Sequence, residues 1–415
     1  MSKHLKRIEA DVTKTFLPYG RQFIDEDDIA AVTDVLRGDW LTTGPTVEAF
    51  EVAFAAKIGA KHAVACSSGT AGLHLLALAA GLGPGDVVIV PTVTFLATAS
   101  AARYVGAEVV FADVDPETGL MGVSQFLEAA ARAPAGAVKA VFPVHLNGHS
   151  VDMPALRQVA GALFIAEDAC HALGGRHKAP SGTMVPVGSC SASDAAMFST
   201  HSVKAIATGE GGVLVTNDTG FAARLGRFRN HGMVRDPALF QHPELAVEPG
   251  EDAAAPWYYE MHEPGYNYRL NDLQSALGLS QLRRLDDFVQ QRRRFRDRYD
   301  RLLGPHVRPI QVAEGCEPAW HLSVVLIDFA ALATTRSAVM RQLRDRGIGT
   351  QVHYIPVHKQ PYYRNRYDTP ALPGAERYYA RCLSLPLFAA MADSDVDRVV
   401  ETLCAVLDLP LERLS

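Results

Sequence analysis

The chain has 415 residues, of which 48% are hydrophobic and 21% charged, with a formal net charge of -6. That length exceeds what one simple core supports, so two domains are expected, and the composition is that of an ordinary soluble globular protein. The acidic balance argues against a nucleic-acid partner, because recognising phosphate by charge alone needs a basic excess, and no run approaches the roughly 20 apolar residues of a membrane helix.

Residues 1–15 mix charges without an apolar core, which reads as an N-terminal extension and not as a secretory signal. Seven short apolar, β-branched-rich runs follow, at 62–67, 87–92, 108–114, 140–145, 163–168, 195–199 and 212–216. Helix-compatible stretches at 72–81, 97–105, 125–132 and 153–160 alternate with them. This repetition predicts an α/β domain over 16–270 with a mostly parallel, seven-stranded mixed sheet covered on both faces. The last two runs are so close in sequence that one of them is a candidate antiparallel strand. Asp236 to Pro256, rich in Pro, Glu and Ala, reads as a surface loop.

From 271 to 303 a single helical period runs with Leu273, Leu277, Leu282, Leu285 and Phe288 on its apolar stripe, and the arginines of 292–298 read as its solvated face. A strand at 320–327, an amphipathic helix at 336–346 ended by Gly347, a strand at 349–354 and a helix at 393–407 then complete a smaller α+β C-terminal domain, so that 271–415 is a linking helix plus that domain. The six cysteines, Cys66, Cys170, Cys190, Cys316, Cys382 and Cys404, show no CxxC or tight disulfide spacing. Reduced thiols and a cytoplasmic location are expected.

Lys204 is the residue with the most chemistry around it. It lies 36 residues after Asp168 and six before Glu210-Gly211-Gly212. A lysine amine condenses with an aldehyde, and a carboxylate at a strand end stabilises a protonated pyridine nitrogen, so the pairing suggests pyridoxal 5'-phosphate. Asp168 closes a buried-looking run where ligands of open α/β sheets collect, although a helix cap explains it equally. Cys66 to Gly72 joins a strand to a helix, giving either a phosphate site of free amides and hydroxyls or an ordinary first turn capped by Ser68 or Thr70. Phe95 reads as a stacking platform or as core, and His171 as a partner of the cofactor's phenolic oxygen or as a satisfied buried histidine.

Other chemistries lack their patterns. Gly81-Leu82-Gly83-Pro84-Gly85 precedes a strand, its proline and spacing break GxGxxG, and GxxxxGK[ST] is absent. Of the histidine pairs His145/His149, His171/His177 and His353/His358, the last two are split by Gly or Pro. None forms HExxH or has a cysteine at ligand spacing, so no metal is expected.

From about Phe16 to Leu407 the chain resembles the DegT/DnrJ/EryC1/StrS aminotransferases, on the ordered blocks Ser68-Gly69-Thr70, Glu167-Asp168-Ala169, Phe198-Ser199 followed by Lys204, Gly209-Glu210-Gly211-Gly212, and Gly265-Tyr266-Asn267-Tyr268-Arg269. The resemblance implies a type I pyridoxal-phosphate aminotransferase fold and a homodimer with shared sites. It implies that Lys204 binds the cofactor covalently, Asp168 pairs with its pyridine nitrogen and Phe95 stacks on its ring. Gly69, Thr70 and Ser199 are then expected to hold the phosphate, with Asn267 reaching it from the other subunit.

Further blocks, at 18–25, 39–45, 256–260 and 352–358, resemble members acting in pseudaminic acid biosynthesis. They imply a UDP-linked 4-keto-6-deoxy sugar, UDP-2-acetamido-2,6-dideoxy-β-L-arabino-hex-4-ulose, with L-glutamate as amino donor. Tyr19, Arg21, Thr43 and His353 are the expected substrate contacts. Sugar 3-aminotransferases, perosamine-type and dTDP-sugar enzymes share the pattern, whereas the related 3-dehydratases carry histidine in place of lysine. A non-enzymatic pyridoxal-phosphate-binding regulator would need a further module. The chain departs from the family at Thr200, where an aromatic residue is usual, in the extension at 1–15, and in the loop at 236–256.

Overall fold

The computed structural model describes residues 16–312 and 314–410, so the extension at 1–15 lies outside the described residues. Seven strands, β1 (His62–Cys66), β2 (Val87–Pro91), β3 (Glu108–Ala112), β4 (Val138–Val141), β5 (Phe164–Asp168), β6 (Ala195–Ser199) and β7 (Gly212–Thr216), form one sheet in the order β1-β7-β6-β5-β4-β2-β3. Strand β7 is antiparallel to both of its neighbours and every other pairing is parallel. Strands β2, β6 and β7 are buried at every residue; helices cover both faces, so a central strand here reads as a continuous apolar run and not as an alternation.

The fourth run was expected at 140–145; the regular strand ends at Val141, while Val144 still bridges to Asp168 and His145 N donates to Asp168 O at 3.0 Å before the chain bends away. The chain turns there through Asn147 (φ 64°) and Gly148 (φ 109°), and a Cβ on Gly148 would sit 2.1 Å from the Ala319 carbonyl oxygen. This turn holds residues 319–322 against the large sheet, since Asn147 O accepts from His321 N at 3.0 Å and Gly148 O from Ala319 N at 3.0 Å.

Two helices precede β1, and neither is among the helical stretches expected from the sequence. Helix α1 (Glu26–Arg37) starts in a capping box between Asp25 and Asp28, while α2 (Pro45–Ile58) has proline in its first turn and ends at Gly59 with φ 74°. The helices α3 (Gly69–Ala79), α4 (Leu96–Tyr104), α5 (Val123–Arg132), α6 (Met153–Ala160) and α7 (Thr219–Arg229) accompany the sheet.

The long helical period divides at Arg284 into α8 (Asp272–Arg283) and α9 (Leu285–Leu302). The Arg284 guanidinium turns back at the break onto the carboxylates of Asp25 and Asp28. The arginine run on α9 is not a solvated face. Arg292 and Arg296 are only 3% and 2% exposed, because with Phe295 and Tyr299 they occupy the i, i+3, i+4, i+7 stripe that faces inward.

The smaller sheet is antiparallel, in the order β8 (Val307–Pro309), β9 (Ser323–Ile327), β10 (Cys382–Leu385). It is accompanied by α10 (Arg336–Asp345), α11 (Pro361–Arg366), α12 (Pro373–Arg381) and α13 (Asp393–Leu407). The expected strand at 349–354 contributes only a bridge between Gln351 and Ser384, and the third strand comes instead from β10. The start of the described chain lies against this sheet's surroundings: Leu17 N donates to Gly347 O at 2.8 Å, and Leu387 N donates to Tyr19 O at 3.0 Å.

Residues 236–256 run over the surface in two short 3-10 turns and a bridge between Val247 and Ala254. The six cysteines are free thiols, and no helix among the described residues is long and apolar enough to cross a membrane.

Candidate active site

Strands β1, β2, β5 and β6 run in one direction, so their carboxyl ends meet at one edge of the sheet. A cavity of about 630 Å³ opens there, between that edge and residues 351–355. Its position is the one expected for ligands of open α/β sheets.

Asp168 ends β5 with its side chain toward the cavity. Its Oδ2 accepts from Thr98 Oγ1 at 2.6 Å and its Oδ1 from Cys170 N at 3.2 Å, and Thr98 Oγ1 lies 2.8 Å from Thr94 Oγ1. The carboxylate is therefore oriented toward the cavity by neutral donors. Side chains alternate along a strand, so Glu167 points the other way. His145 Nε2 meets Glu167 Oε2 at 2.8 Å, and the Ser193 hydroxyl donates to the other oxygen. Burial alone would raise this carboxyl's pKa; the His145 contact, helped by Ser193, brings it below the ordinary value.

Lys204 stands in the loop between β6 and β7. Two threonines close that loop at its base: Thr208 N donates to Thr200 O at 2.8 Å, and the two hydroxyls lie 2.6 Å apart. A Cβ on Gly211 would come within 2.4 Å of both hydroxyl oxygens. At Thr200, where family members usually carry an aromatic ring, this chain thus has a buried hydroxyl pair. Burial pushes the Lys204 amine below the usual lysine pKa; Cys170 and Asp168 oppose that shift and the Arg292 guanidinium adds to it.

Opposite the lysine, Ser68 caps α3 by accepting from Ala71 N at 3.1 Å. The capped-helix reading is thus realised, and the first amides of α3 remain at the cavity edge beside Thr70. A Cβ on Gly69 would lie 3.1 Å from Ser199 Cβ and 3.3 Å from Ser199 Oγ, so glycine lets the helix end press against that hydroxyl. Helix amides and two hydroxyls are the donor set a phosphate dianion takes.

Phe95 is 55% exposed on the cavity, its ring 5.9 Å from that of Tyr354, so it is not core. His171 is buried, with Nδ1 accepting from Asn147 N at 3.3 Å and Nε2 3.2 Å from the Tyr354 hydroxyl. The amide fixes Nδ1 as acceptor, so Nε2 carries the proton. His353 bonds Ser384 Oγ at 2.7 Å and lies 5.5 Å from the Tyr19 ring. Burial, with Lys204 adding, pushes its pKa down to about 3.

The remaining expected contacts are not assembled within one chain. Arg21 and Thr43 are exposed and do not line the cavity, and neither does Asn267, which bridges to Asn230. Conversely, the cavity includes His321, Tyr354 and Gln351, and Thr98 lies behind Asp168. The His321 ring lies 4.5 Å from that of His171, tilted by 50°, and its buried Nδ1 has no hydrogen-bond partner among the described residues. No local spacing flags it, since long-range contacts, those of the Asn147 turn among them, bring residues 319–322 to the site.

A carboxylate held by neutral donors, a buried lysine of depressed basicity and a helix-end phosphate cradle around one cavity are the parts of a pyridoxal-phosphate transaminase, and the donor set here fits that cofactor. The chain belongs to the DegT/DnrJ/EryC1/StrS aminotransferase family, whose model matches residues 22–404. It is 41% identical over 393 residues to the spore coat polysaccharide biosynthesis protein SpsC of Bacillus subtilis (strain 168), covering 93% of this chain and 96% of that protein.

Among solved structures, Helicobacter pylori PseC, an aminotransferase involved in the biosynthesis of pseudoaminic acid, superposes with a TM-score of 0.83 at 27% identity, over 95% of this chain and 99% of that one. The PLP form of the putative sugar aminotransferase Spr1654 from Streptococcus pneumoniae superposes with a TM-score of 0.82 at 28% identity, over 95% and 99%. The protein is a pyridoxal-phosphate-dependent sugar aminotransferase.

Proposed function

We propose that this enzyme aminates C4 of a UDP-linked 4-keto-6-deoxy sugar, taking the amine from L-glutamate, in a pseudaminic acid-type route. The observation that carries the reading is Asp168 and Lys204 facing one cavity, with the carboxylate held by Thr98 and the Cys170 amide. When bound, pyridoxal phosphate supplies an electron sink for the carbanion formed at the donor's Cα.

In this reading the Lys204 Nζ would hold the cofactor and, once free, would take the proton from the donor's Cα as general base. In the second half-reaction the same Nζ returns a proton at C4 of the sugar. Asp168 would keep the pyridine nitrogen protonated, Gly69, Thr70 and Ser199 would hold the phosphate, and Phe95 would cover the ring. His171 and Tyr354 present hydroxyl and imidazole donors beside it. Tyr19 and His353, which line the cavity, face the sugar. Asn267 reaches the phosphate from the other copy of a homodimer with shared sites, and Arg21 and Thr43 are further contacts to the substrate. The six free thiols support a reducing, cytoplasmic setting.

The test is a panel of UDP-, GDP- and dTDP-linked 4-keto and 3-keto sugars with L-glutamate, the new amine being located by NMR. Preferred turnover of the UDP-linked 4-keto sugar is expected. Preference for another nucleotide, or an amine at C3, would replace the substrate and leave the chemistry standing. Turnover by Lys204→Ala would sink the assignment of the lysine.

A further inference from the structure

Helix α9 carries two buried arginines one turn apart, and they are held in different ways. Arg296 donates to Asp300 at 2.7 Å and to Ile310 O at 3.0 Å, and its guanidinium lies 4.1 Å from the Trp320 ring. Arg292 makes no ion pair among the described residues. Its two terminal nitrogens donate to main-chain carbonyls, Nη1 to His321 O at 3.2 Å and Nη2 to Lys204 O at 3.3 Å, while its buried Nε has no partner. A buried cation with no counter-ion is unfavourable. It nevertheless stays charged, because burial lowers its pKa only to about 10. Both carbonyls it holds belong to residues that line the cavity, one from the β6–β7 loop and one from the segment entering β9.

We propose that Arg292 is a positioning residue of the aminotransferase: its guanidinium ties the main chain of Lys204 to that of His321 and sets the field in which the Lys204 amine exchanges its proton. This rests on Lys204 being the reactive lysine and is independent of which sugar is aminated. The geometry accounts for the two effects separately. Two carbonyl bonds from a planar fork fix the direction in which the Lys204 side chain leaves its loop, which a single ammonium cannot reproduce. The fixed positive charge disfavours a second one on the nearby amine.

The other groups around that amine are Asp168 at the end of β5, Cys170 and His171 just after it, His321 before β9, and His353 from the segment at 349–355. On its own loop, His201 and Glu210 form an exposed pair at 3.8 Å. Asp168 and Cys170 favour the charged lysine. The three histidines are held well below their ordinary pKa by burial, so Arg292 is the fixed cation opposing it.

The experiment compares Arg292→Gln and Arg292→Lys with Arg296→Met, an equally buried change on the same helix. In cofactor-free protein, the pH dependence of Lys204 acetylation by trace acetic anhydride, read by mass spectrometry, reports the amine directly. In holoenzyme, kcat and the KM for L-glutamate are measured. Arg292→Gln is expected to move the acetylation midpoint upward, by about a factor of ten in the acid dissociation constant, and to lower kcat more than it changes KM. Arg292→Lys is expected to keep the midpoint near wild type, since the charge remains, and still to lose kcat. Arg296→Met is expected to lower the melting temperature without moving the midpoint.

An unmoved midpoint in Arg292→Gln, or an equal shift in Arg296→Met, overturns the proposal. If Arg292→Gln does not fold, wild-type kcat in Arg292→Lys overturns the carbonyl clamp on its own. Turnover by Lys204→Ala, a different result from these, overturns the parent reading.

Discussion

Asp168 and Glu167 are adjacent carboxylates with different work, and the pleat of one strand separates them. Thr98 donates to Asp168 at 2.6 Å, and a hydrogen bond to a charged group contributes about 1.5–3 kcal/mol. Thr98→Val is therefore expected to lower kcat about tenfold while pyridoxal phosphate stays bound, with Asp168→Asn costing about a hundredfold or more; steady-state kinetics beside the visible absorption spectrum checks both. Gly69→Ala places a Cβ 3.1 Å from Ser199, so it should weaken cofactor affinity, read as a raised Kd on titrating apoprotein, more than it slows turnover by the loaded enzyme. Lys204, Asp168, Gly69 and Ser199 were legible in the sequence because each sits beside a strand end or a glycine turn that marks its place. Thr98 and His321 were not: one sits on the back of a carboxylate contact, the other arrives through a long-range turn.

At the level of elements, the β6–β7 loop is held by a small steric device. Gly211→Ala would set a Cβ within 2.4 Å of Thr200 Oγ1 and Thr208 Oγ1, and overpacking of that kind costs about 1–3 kcal/mol. A lowered melting temperature together with reduced kcat is expected, because the displaced threonines carry the base of the lysine loop. The segment at 236–262 is organised by Glu260, whose carboxylate faces Gln241 N at 2.6 Å, His242 N at 2.8 Å and His262 Nε2 at 2.7 Å. Burial would raise its pKa, but those donors bring it down to about 2. A depressed carboxyl stabilises above its ordinary range and loses that contribution only as pH falls toward the folded value. Limited proteolysis at pH 7 should therefore find 236–256 cleaved faster in Glu260→Gln than in the wild-type chain. The helices taught the opposite lesson about legibility. A run of arginines on α9 looks like a wet face in sequence, and only the inward stripe of 292, 295, 296 and 299 shows that two of its five arginines are inside.

For the whole molecule, the buried histidines set the acid limit. Burial lowers His149 to about 4 and His353 to about 3, and holds His171 and His321 well below the ordinary imidazole value. The unfolded chain takes up protons near pH 6.5 while the folded chain does not, so stability is complete above about 6.5 and declines as pH falls toward the folded values, by about 1.4 kcal/mol per pH unit for each such histidine. Urea unfolding between pH 7.5 and 5 should show the midpoint falling steeply, whereas a flat profile would mean these imidazoles are protonated in the native state. The large sheet was legible as alternating strands and helices, and even the reversed strand was anticipated from its short connection. The smaller sheet was not, because β10 is four residues long and follows α12 with no turn signal. The same reversed strand also bears on synthesis at the ribosome. Strand β1 pairs with β7 alone, His62 opposite Thr216, so the first strand made stays without a partner until nearly all of the large sheet has emerged. Its apolar edge must be carried through elongation unpaired, and nascent chains stalled before Thr216 are expected to bind chaperones that chains stalled well beyond it no longer recruit.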